Sequence, residues 1–315
     1  MTTLLVSQPN FADHQTPQGH PERADRIQAV NEALEDDHFA DLVRREAPYG
    51  DITLAELVHD GRYMEQLRAA RPSEGIGQID GDTFISADSL SVAATGLGGA
   101  LAGLDAVLLG EVDNAFCAIR PPGHHAEIDR PMGFCLINTV AIAAREAQRK
   151  YGAERVAIID FDVHHGNGTQ DIFAADASVF YASSHQMPLF PGTGHPSETG
   201  AGNIVNAALR AQSDGEMMRL AYSETILPAL DDFAPDLILL SAGFDAHHRD
   251  PLAQLDWDNA DFAWLTAKLM DVAERRCGNR IVSLLEGGYD LKGLAGGVRQ
   301  HVAALMSGAA NTLKD

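Results

Sequence analysis

Four short apolar segments of this chain each lead directly into a polar turn that contains glycine. The clearest is Val-Ala-Ile-Ile at residues 156–159, followed by the acidic and histidine-rich sequence DFDVHHGNG at residues 160–168. The other three apolar segments are residues 115–119, 237–240 and 281–285. Apolar runs of this length, bounded by turn residues, are typical of strands buried on both faces. In a parallel sheet the turns after such strands lie at one edge, so we expect their polar side chains to converge.

The segments between these strands show apolar residues at helical spacing. This spacing predicts helices at residues 20–34, 53–67, 89–109, 139–151, 214–230 and 259–275. Alternating strands and helices indicate the α/β class, with a central parallel sheet and helices on both faces. No linker rich in proline or serine separates the polar turns, so we predict one domain over residues 1–315. Residues 183–203 are polar and rich in glycine and proline, which predicts a long loop at the rim of a site.

The composition limits the classes of partner and location. A formal net charge of −22 argues against a nucleic-acid-binding protein, which would show a basic surface. The negative electrostatic field of this chain would concentrate cationic substrates near it. A negative surface charge also increases solubility. No basic segment followed by a long apolar one begins the chain, and no run of about 18 apolar residues occurs, which argues against a membrane location. Three cysteines without metal-binding spacing (Cys117, Cys135 and Cys277) predict reduced thiols in a cytoplasmic protein.

The predicted strand ends contain side chains that suit a divalent cation. Asp162 and His164 follow the strand at residues 156–159, and Asp245 follows the strand at residues 237–240. Carboxylate oxygen and neutral imidazole nitrogen are both zinc ligands. Taken alone, the first segment also fits a strand end with solvated polar residues. The other turns add two adjacent histidines and a tyrosine, and this convergence favours a functional site.

Six motifs, in this order, resemble those of the metal-dependent histone deacetylase family. They are PPGHH at residues 121–125, GFC at 133–135, DFDVHHGNGT at 160–169, FPGTG at 190–194, AGFDAHHRDPL at 242–252 and EGGY at 286–289. The resemblance is strongest to the class II and bacterial branch, which includes acetylpolyamine amidohydrolases. It extends from Gly19 to beyond Tyr289. It implies the single-domain arginase/deacetylase-type fold and an enzyme that hydrolyses linear amides.

By this resemblance, Asp162, His164 and Asp245 are the ligands of a catalytic metal ion. Three protein ligands leave one position open, which distinguishes a catalytic from a structural zinc site. The family implies Zn²⁺, and two carboxylates would also suit Fe²⁺ or Co²⁺. Such an ion lowers the pKa of a water molecule and polarises the amide carbonyl.

The resemblance also assigns the groups that move protons. It implies that His125 is the general base and acid of the reaction and that His124 is the electrostatic partner of His125. Asp160 is expected to pair with His124, and Asn167 takes the partner position of His125. An amide raises the basicity of an imidazole less than a carboxylate would. Tyr289 is expected to donate a hydrogen bond to the oxyanion of the tetrahedral intermediate.

Phe134 and Phe190 match the two aromatic walls of the family's substrate tunnel. The apolar stem of an acyl-lysine, or of an acylated polyamine, would lie between them. Asp82 matches the acid at the rim that holds the substrate backbone. Leu252 stands at the mouth, where a glutamate is common in polyamine-selective members, so it favours acyl-lysine or a broad specificity. The predicted substrate-binding set also includes the glycines Gly133 and Gly287.

Further predictions concern residues around the site. Arg23 is expected behind the site near the acetate exit, and His165 is expected to point into the core. His247 and His248 depart from the family pattern and are expected either to shape the rim or to be exposed.

The resemblance also implies K⁺ as a structural ion. One potassium site would involve Asp160, Asp162, His164 and Ser183, and a second would lie near Phe173 and Val179.

The predicted substrate is an acyl-lysine peptide or protein, and a small acylated amine is the alternative, handled by an acetylpolyamine amidohydrolase with the same mechanism. A binuclear manganese ureohydrolase such as arginase shares the fold and Asp-x-His sequences. Its mechanism has no obvious place for the His124-His125 pair or for Tyr289. A non-catalytic acyl-lysine-binding protein would have lost a ligand, a histidine or the tyrosine, and this chain has lost none of them.

Overall fold

The computed structural model describes residues 1–310 and 313 and contains an eight-stranded parallel sheet. In chain order the strands are β1 (Thr3–Ser7), β2 (Val43–Glu46), β3 (Ile76–Gln78), β4 (Phe84–Ser86), β5 (Asn114–Ala118), β6 (Val156–Asp160), β7 (Val179–Gln186), β8 (Ile204–Leu209), β9 (Leu237–Ala242) and β10 (Ile281–Leu285). The order across the sheet is β2-β1-β5-β10-β9-β6-β7-β8, and β3 and β4 form a separate antiparallel hairpin.

The four predicted apolar segments form the middle of the sheet. They lie side by side in the order β5-β10-β9-β6, and every residue in them is buried. Their carboxyl ends are in register, with Asp160 of β6 opposite Ser241 of β9 and Leu285 of β10 opposite Ala242. The turns after these strands therefore meet at one edge, as the sequence predicts.

Helices cover both faces of the sheet. They are α1 (Asp25–Ala33), α2 (Gly61–Ala70), α3 (Ser89–Leu108), α4 (Thr139–Tyr151), α5 (Asn167–Phe173), α6 (Gly215–Ala221), α7 (Leu227–Phe233), α8 (Asn259–Cys277) and α9 (Leu291–Ser307). Alternate residues of β6 face opposite sides: Ala157 and Ile159 pack with α1, α8 and α9, whereas Val156 and Ile158 pack with α2, α3 and α4. This two-sided burial explains why the central strands are continuously apolar.

Three predicted helices differ from the observed ones. The helix expected at residues 53–67 is a 3₁₀ turn (Ile52–Leu57) followed by α2, because the Asp60 side chain accepts from Arg62 N and caps a new helix. The first helix begins at Asp25 rather than at residue 20. The segment at 214–230 contains a π turn (Tyr222–Ile226) before α7, where Pro228 has no N–H to donate. Part of the predicted rim loop, up to Gln186, belongs to β7.

Helix α3 is long and apolar enough, by length and composition, to cross a membrane. In the fold, 72% of its apolar window is buried, which is typical of the core helix of a globular protein. Its glycines allow close packing: a Cβ atom at Gly98 would collide with the backbone carbonyl of Pro48. The three cysteines are free and buried.

Candidate active site

Three side chains that could hold a metal ion meet where β6 and β9 end. Asp162 and His164 follow β6, Asp245 follows β9, and one ligand atom of each lies within 4.8 Å of the others. His164 Nδ1 is 3.1 Å from both Asp162 Oδ1 and Asp245 Oδ2. All three residues are buried. The fold thus brings the three predicted ligands into one cluster.

The chemistry of this cluster suits a positive charge. Burial, and then the neighbouring Asp162 carboxylate, raise the pKa of Asp245 to about 7. Burial alone would lower the pKa of His164, but its hydrogen bonds with the two carboxylates raise it to about 10. Either a proton on His164 or a divalent cation can supply the positive charge, and binding of the cation would release the proton. The residues therefore fit a metal ion by chemistry as well as by position.

Glycines allow the backbone to approach these carboxylates closely. Gly287 N donates to Asp162 Oδ2 at 2.8 Å. A Cβ atom at Gly287 or at Gly243 would collide with the Asp162 carboxylate. The structure therefore places Gly287 behind the carboxylates, whereas the sequence predicted contact with the substrate. Gly287 donates its N–H to the Asp162 carboxylate, and its lack of a side chain leaves room for that carboxylate.

His124 lies in the turn after β5, between two carboxylates. Its Nδ1 is 2.9 Å from Asp160 Oδ2, and its Nε2 is 3.8 Å from Asp162 Oδ2. Burial opposes the charge, but these carboxylates outweigh burial and raise the pKa of His124 well above its ordinary value. The buried Glu286 carboxylate holds the turn itself, because its Oε2 accepts from Gly123 N at 2.6 Å and from His124 N at 3.2 Å. His124 is thus a fixed, positively charged group.

His125 has the opposite electrostatic character. Burial, and then the charge of His124, hold the pKa of His125 well below its ordinary value. Its Nδ1 is 2.7 Å from Asn167 Oδ1, at the first turn of α5. The Asn167 amide is oriented by Glu127, whose Oε1 accepts from Asn167 Nδ2 at 2.6 Å. Because a carboxylate only accepts, Asn167 must present its oxygen to His125, which leaves the Nε2 of a neutral His125 as a base.

Sequence reasoning missed Glu127, although it stands only two residues after His125. Hydrogen bonds from Arg130 and Asn167 outweigh its burial and keep the pKa of Glu127 below its ordinary value, so the carboxylate stays charged. The signal in the sequence was weak, because an acidic residue near an arginine usually indicates a surface ion pair.

Tyr289 is presented by the glycine turn after β10. Its backbone N–H donates to Asp250 Oδ2 at 2.7 Å, and its ring meets Phe134 edge to face with centroids 5.7 Å apart. The guanidinium of Arg26 lies over the ring, 5.0 Å from its centroid. Burial raises the pKa of Tyr289 well above its ordinary value, so the phenol keeps its proton and can donate it in a hydrogen bond.

A cavity of about 230 Å³ leads to these groups. It is lined by Asp82, His125, Gly133, Phe134, His164, Leu189, Phe190, Leu252 and Tyr289. Phe190 is 40% exposed, whereas His125 and Tyr289 are buried, so the cavity runs from the surface to the candidate catalytic groups. Eight of the residues predicted from the sequence, and the unpredicted Leu189, thus line one cavity.

Phe134 has a left-handed backbone conformation, with φ of 69°. This conformation costs a bulky residue about 1–3 kcal/mol. The hairpin loop between β3 and β4 holds it in place: Asp82 Oδ1 accepts from Gly133 N and Thr83 Oγ1 accepts from Phe134 N, both at 3.1 Å. Asp82 therefore supports the tunnel wall as well as lining it.

One peripheral prediction was wrong, and another was correct only in part. The Arg23 side chain is 41% exposed and pairs with Asp25, and the arginine behind the site is Arg26, which donates to Gly288 O at 2.7 Å. Arg23 precedes α1, whereas Arg26 lies on its buried face together with Ile27 and Val30. His247 is buried against Phe262 and lines a different cavity together with the exposed His248, so the pair does not shape the rim.

Other predicted residues have structural partners. His165 is buried and bonds to Thr193 and Gln170, in agreement with its predicted core role. Ser183, opposite Asp160 in the sheet, has its hydroxyl 2.9 Å from His185 Nδ1. The backbone carbonyls of Phe173 and Val179 both accept from the side chain of Asn203, a partner different from the predicted potassium ion.

A buried ion network links the amino-terminal segment to the turns after β5 and β10. Sequence reasoning also missed this network. Arg120 Nε and Nη2 donate to the two Glu22 carboxylate oxygens at 2.8 and 2.7 Å. Arg26 Nη1 lies 3.4 Å from Glu22 Oε1, and Arg26 also donates to Glu286 O. All three charged side chains have no exposed surface. Removal of one partner of such a group is strongly destabilising.

Comparisons with known proteins agree with this architecture. The model of the histone deacetylase domain matches residues 20–305. A probable deacetylase of Archaeoglobus fulgidus is 36% identical over 315 residues, covering 98% of this chain and 87% of that protein. A histone deacetylase-like amidohydrolase of Pseudomonas aeruginosa is 40% identical over 241 residues, covering 74% and 62%. The crystal structure of the HDA15 HD domain superposes with a TM-score of 0.90 at 31% identity, covering 97% of this chain and 90% of that one.

The fold and the buried Asp-His-Asp cluster together define an α/β protein with a candidate metal centre. The chain belongs to the histone deacetylase family of amide hydrolases.

Proposed function

We propose that this protein is a zinc-dependent amidohydrolase that removes acyl groups, such as acetyl, from lysine side chains. The proposal rests on one observation: His125, His164 and Tyr289 line the same cavity as Phe134 and Phe190. An acyl-lysine is a long apolar stem that ends in an amide. The cavity offers aromatic walls for the stem and polar groups for the amide.

Asp162, His164 and Asp245 would hold the metal. Bound zinc would polarise the amide carbonyl and lower the pKa of the attacking water. Fe²⁺ and Co²⁺ suit the same donor set. We also retain a structural K⁺ near Asp160, Asp162, His164 and Ser183 as part of the proposal.

His125 would move the protons. Its Nε2 is free to take a proton from the water, because Asn167 fixes the other nitrogen as the donor. The same nitrogen would then protonate the departing amine. His124, charged and 4.0 Å away between ring centroids, would stabilise the negative charge that develops. The two histidines thus have separate tasks because their surroundings shift their pKa values in opposite directions.

Tyr289 would donate its hydroxyl proton in a hydrogen bond to the oxyanion. An oxyanion donor of this kind contributes about 3–4 kcal/mol to transition-state stabilisation. Contacts with the Phe134 ring and with the Arg26 guanidinium hold the Tyr289 ring in place. Asp82, at the rim, would hold the substrate backbone.

Leu252 supports acyl-lysine over acetylpolyamines. It lines the cavity at the mouth position where polyamine-selective members of the family often place a glutamate to meet a distal ammonium group. An acetylpolyamine is the second candidate, supported by the net charge of −22. Both substrates would undergo the same reaction. We also propose that the enzyme is cytoplasmic.

The remote candidates have less support. Among residues 1–310 and 313, the one group of three or more acidic, histidine or cysteine side chains placed to hold a metal is Asp162, His164 and Asp245. A binuclear ureohydrolase would need further bridging carboxylates. Asn167, where one would help, is instead bonded to His125.

Metal dependence is tested by chelation and reconstitution. Chelated protein should release no acetate from an acetyl-lysine peptide, and one equivalent of zinc should restore release. The Asp245→Ala variant, measured beside it, should bind no zinc in an elemental assay. Full turnover by protein shown to be metal-free would refute the proposal.

A further inference from the structure

One buried side-chain amide lies among three backbone carbonyl groups. Asn203 Nδ2 is 2.9 Å from Phe173 O, 3.0 Å from Asp176 O and 2.8 Å from Val179 O. Asn203 immediately precedes β8 and is 3% exposed. The three carbonyls lie between the end of α5 and the start of β7. A ring of backbone oxygens is also the kind of site that holds a cation, and a potassium ion was expected here.

The orientation of the amide is determined by a fourth contact. Asn203 Oδ1 accepts from Ala201 N at 3.0 Å. If the amide were turned by half a rotation, its oxygen would face three carbonyl oxygens and its NH₂ group would face an N–H donor. Both arrangements are repulsive, so the NH₂ group must point at the carbonyls.

We infer that the Asn203 amide takes the place of the cation at this position, so that this part of the fold requires no potassium ion. The two hydrogens of an NH₂ group carry partial positive charge and can be shared among three acceptors. A K⁺ ion would need the same oxygens and the same space. The family's second potassium site therefore does not fit this chain.

The amide also joins two segments that an ion would otherwise join. Ala201 N donates to Ala174 O at 2.8 Å, and Tyr181 N donates to the backbone oxygen of Asn203 at 2.9 Å. Together with the Asn203 side chain, these bonds fasten the loop before β8 to the turn before β7. A covalently attached group keeps this link whatever the ionic composition of the medium.

Anomalous scattering from crystals in rubidium chloride tests the inference directly, because Rb⁺ replaces K⁺ and is detectable. The wild-type protein should show no Rb⁺ peak within bonding distance of Phe173 O, Asp176 O and Val179 O. Crystals of the Asn203→Ala variant, which removes the amide and keeps the carbonyls, should show such a peak. A peak in the wild type, or none in the variant, would overturn the inference.

A second variant provides a test in solution. Asn203→Asp keeps the shape and the bond from Ala201 N, but directs a carboxylate oxygen at the three carbonyls. We expect its melting temperature to rise in KCl, relative to choline chloride at equal ionic strength, by several degrees more than that of the wild type. The comparison with the wild type removes any contribution from other potassium sites.

Asn206→Asp is the matched control. Asn206 is also a buried asparagine of the same region, and its Nδ2 donates to Gln170 Oε1 and Glu198 O rather than to a ring of carbonyls. Its potassium response should follow that of the wild type. An equal potassium response in Asn203→Asp and Asn206→Asp, or none in Asn203→Asp, would contradict the inference.

Discussion

At the residue scale, the orientation of one amide determines which nitrogen of His125 can act as a base. The sequence predicted the pairing partners of the two histidines, Asp160 and Asn167, because both lie in the motif at residues 160–169. It did not predict Glu127, which orients Asn167. A hydrogen bond between side chains in different turns depends on the fold and leaves no spacing pattern in the chain.

Replacing Glu127 with Ala should reduce kcat on an acetyl-lysine substrate by about tenfold or more, with little change in metal content. Without the carboxylate, the Asn167 amide can turn and His125 can lose the tautomer that leaves Nε2 unprotonated. Steady-state kinetics and elemental analysis measure both effects. Arg130→Ala is the control, since Arg130 also bonds to Glu127 but is 59% exposed, and it should remain near wild-type activity. A fully active Glu127→Ala variant would show that Glu127 does not hold the tautomer.

Replacing Tyr289 with Phe should reduce turnover by about a hundredfold or more, or about 2.7 kcal/mol at 1.4 kcal/mol per tenfold. The ring and its packing remain, and only the proposed oxyanion donor is lost. Metal should stay bound, in contrast to Asp162→Ala. If Tyr289→Phe retained full activity on acetyl-lysine, the oxyanion assignment would be wrong.

At the scale of elements, the central strands and the long helices could be predicted, because each has a clear apolar period. Helix α4 has the predicted bounds, 139–151, and the four central strands match within a residue or two. The break before α2 could not be predicted from periodicity, since the apolar spacing continues through it and the Asp60 cap decides the outcome. The candidate catalytic side chains lie in the turns after the strands. Contacts between these turns depend on tertiary structure, so apolar periodicity does not predict them.

One such contact joins the turn of Tyr289 to the mouth of the cavity. Asp250 accepts from Tyr289 N with Oδ2 and from Leu252 N with Oδ1, at 2.7 and 3.0 Å. Asp250→Ala should therefore lower kcat, because the phenol is less well placed. In a Tyr289→Phe background the same change should have little further effect on kcat.

A double-mutant cycle measures this coupling. Asp258→Ala is the control: Asp258 caps α8, so its loss should reduce stability without changing kcat. Losses of kcat that simply add in the Asp250→Ala/Tyr289→Phe protein would indicate a general structural defect instead of positioning of Tyr289.

At the scale of the whole molecule, the sequence predicted that the polar turns converge but not the order of the strands. β10 pairs between β5 and β9, although it comes last of the ten strands in the chain. Pairing between distant segments depends on how helices cover both faces, and the local pattern of residues does not encode it. Buried charge is likewise a property of the fold, as the network of Glu22, Arg26 and Arg120 illustrates.

Buried histidines make the stability of the whole fold sensitive to acid. Burial lowers the pKa of His14, His59 and His185 to about 4 and that of His301 to about 3. The unfolded chain, with histidine pKa values near 6.5, binds more protons between these limits. The free energy of unfolding should therefore fall as pH falls from about 6.5 to 4, by about 1.4 kcal/mol per pH unit for each histidine.

Urea unfolding of metal-free protein at several pH values measures this slope without interference from metal release. His301→Gln should reduce the slope by about one proton, because both ring nitrogens of His301 contact neutral hydroxyls, Nδ1 with Thr266 at 2.7 Å and Nε2 with Ser283 at 2.8 Å. Because the Asp245 carboxyl of metal-free protein has a pKa of about 7, it contributes a slope of opposite sign, and the difference between the two proteins is the test. An equal slope in the wild type and in His301→Gln would refute the assignment of His301 as neutral in the fold.

The most direct test of the central claim is a comparison of kcat/KM for the zinc-loaded protein on acetyl-lysine peptides, N-acetylputrescine and N-acetylspermidine. The cavity between Phe134 and Phe190, with Leu252 at its mouth, predicts that the acetyl-lysine peptide gives the highest value. A preference of a hundredfold or more for the acetylpolyamines, equal to about 2.7 kcal/mol in the transition state, would contradict the account of the substrate. Hydrolysis of none of the three would contradict the account of the reaction.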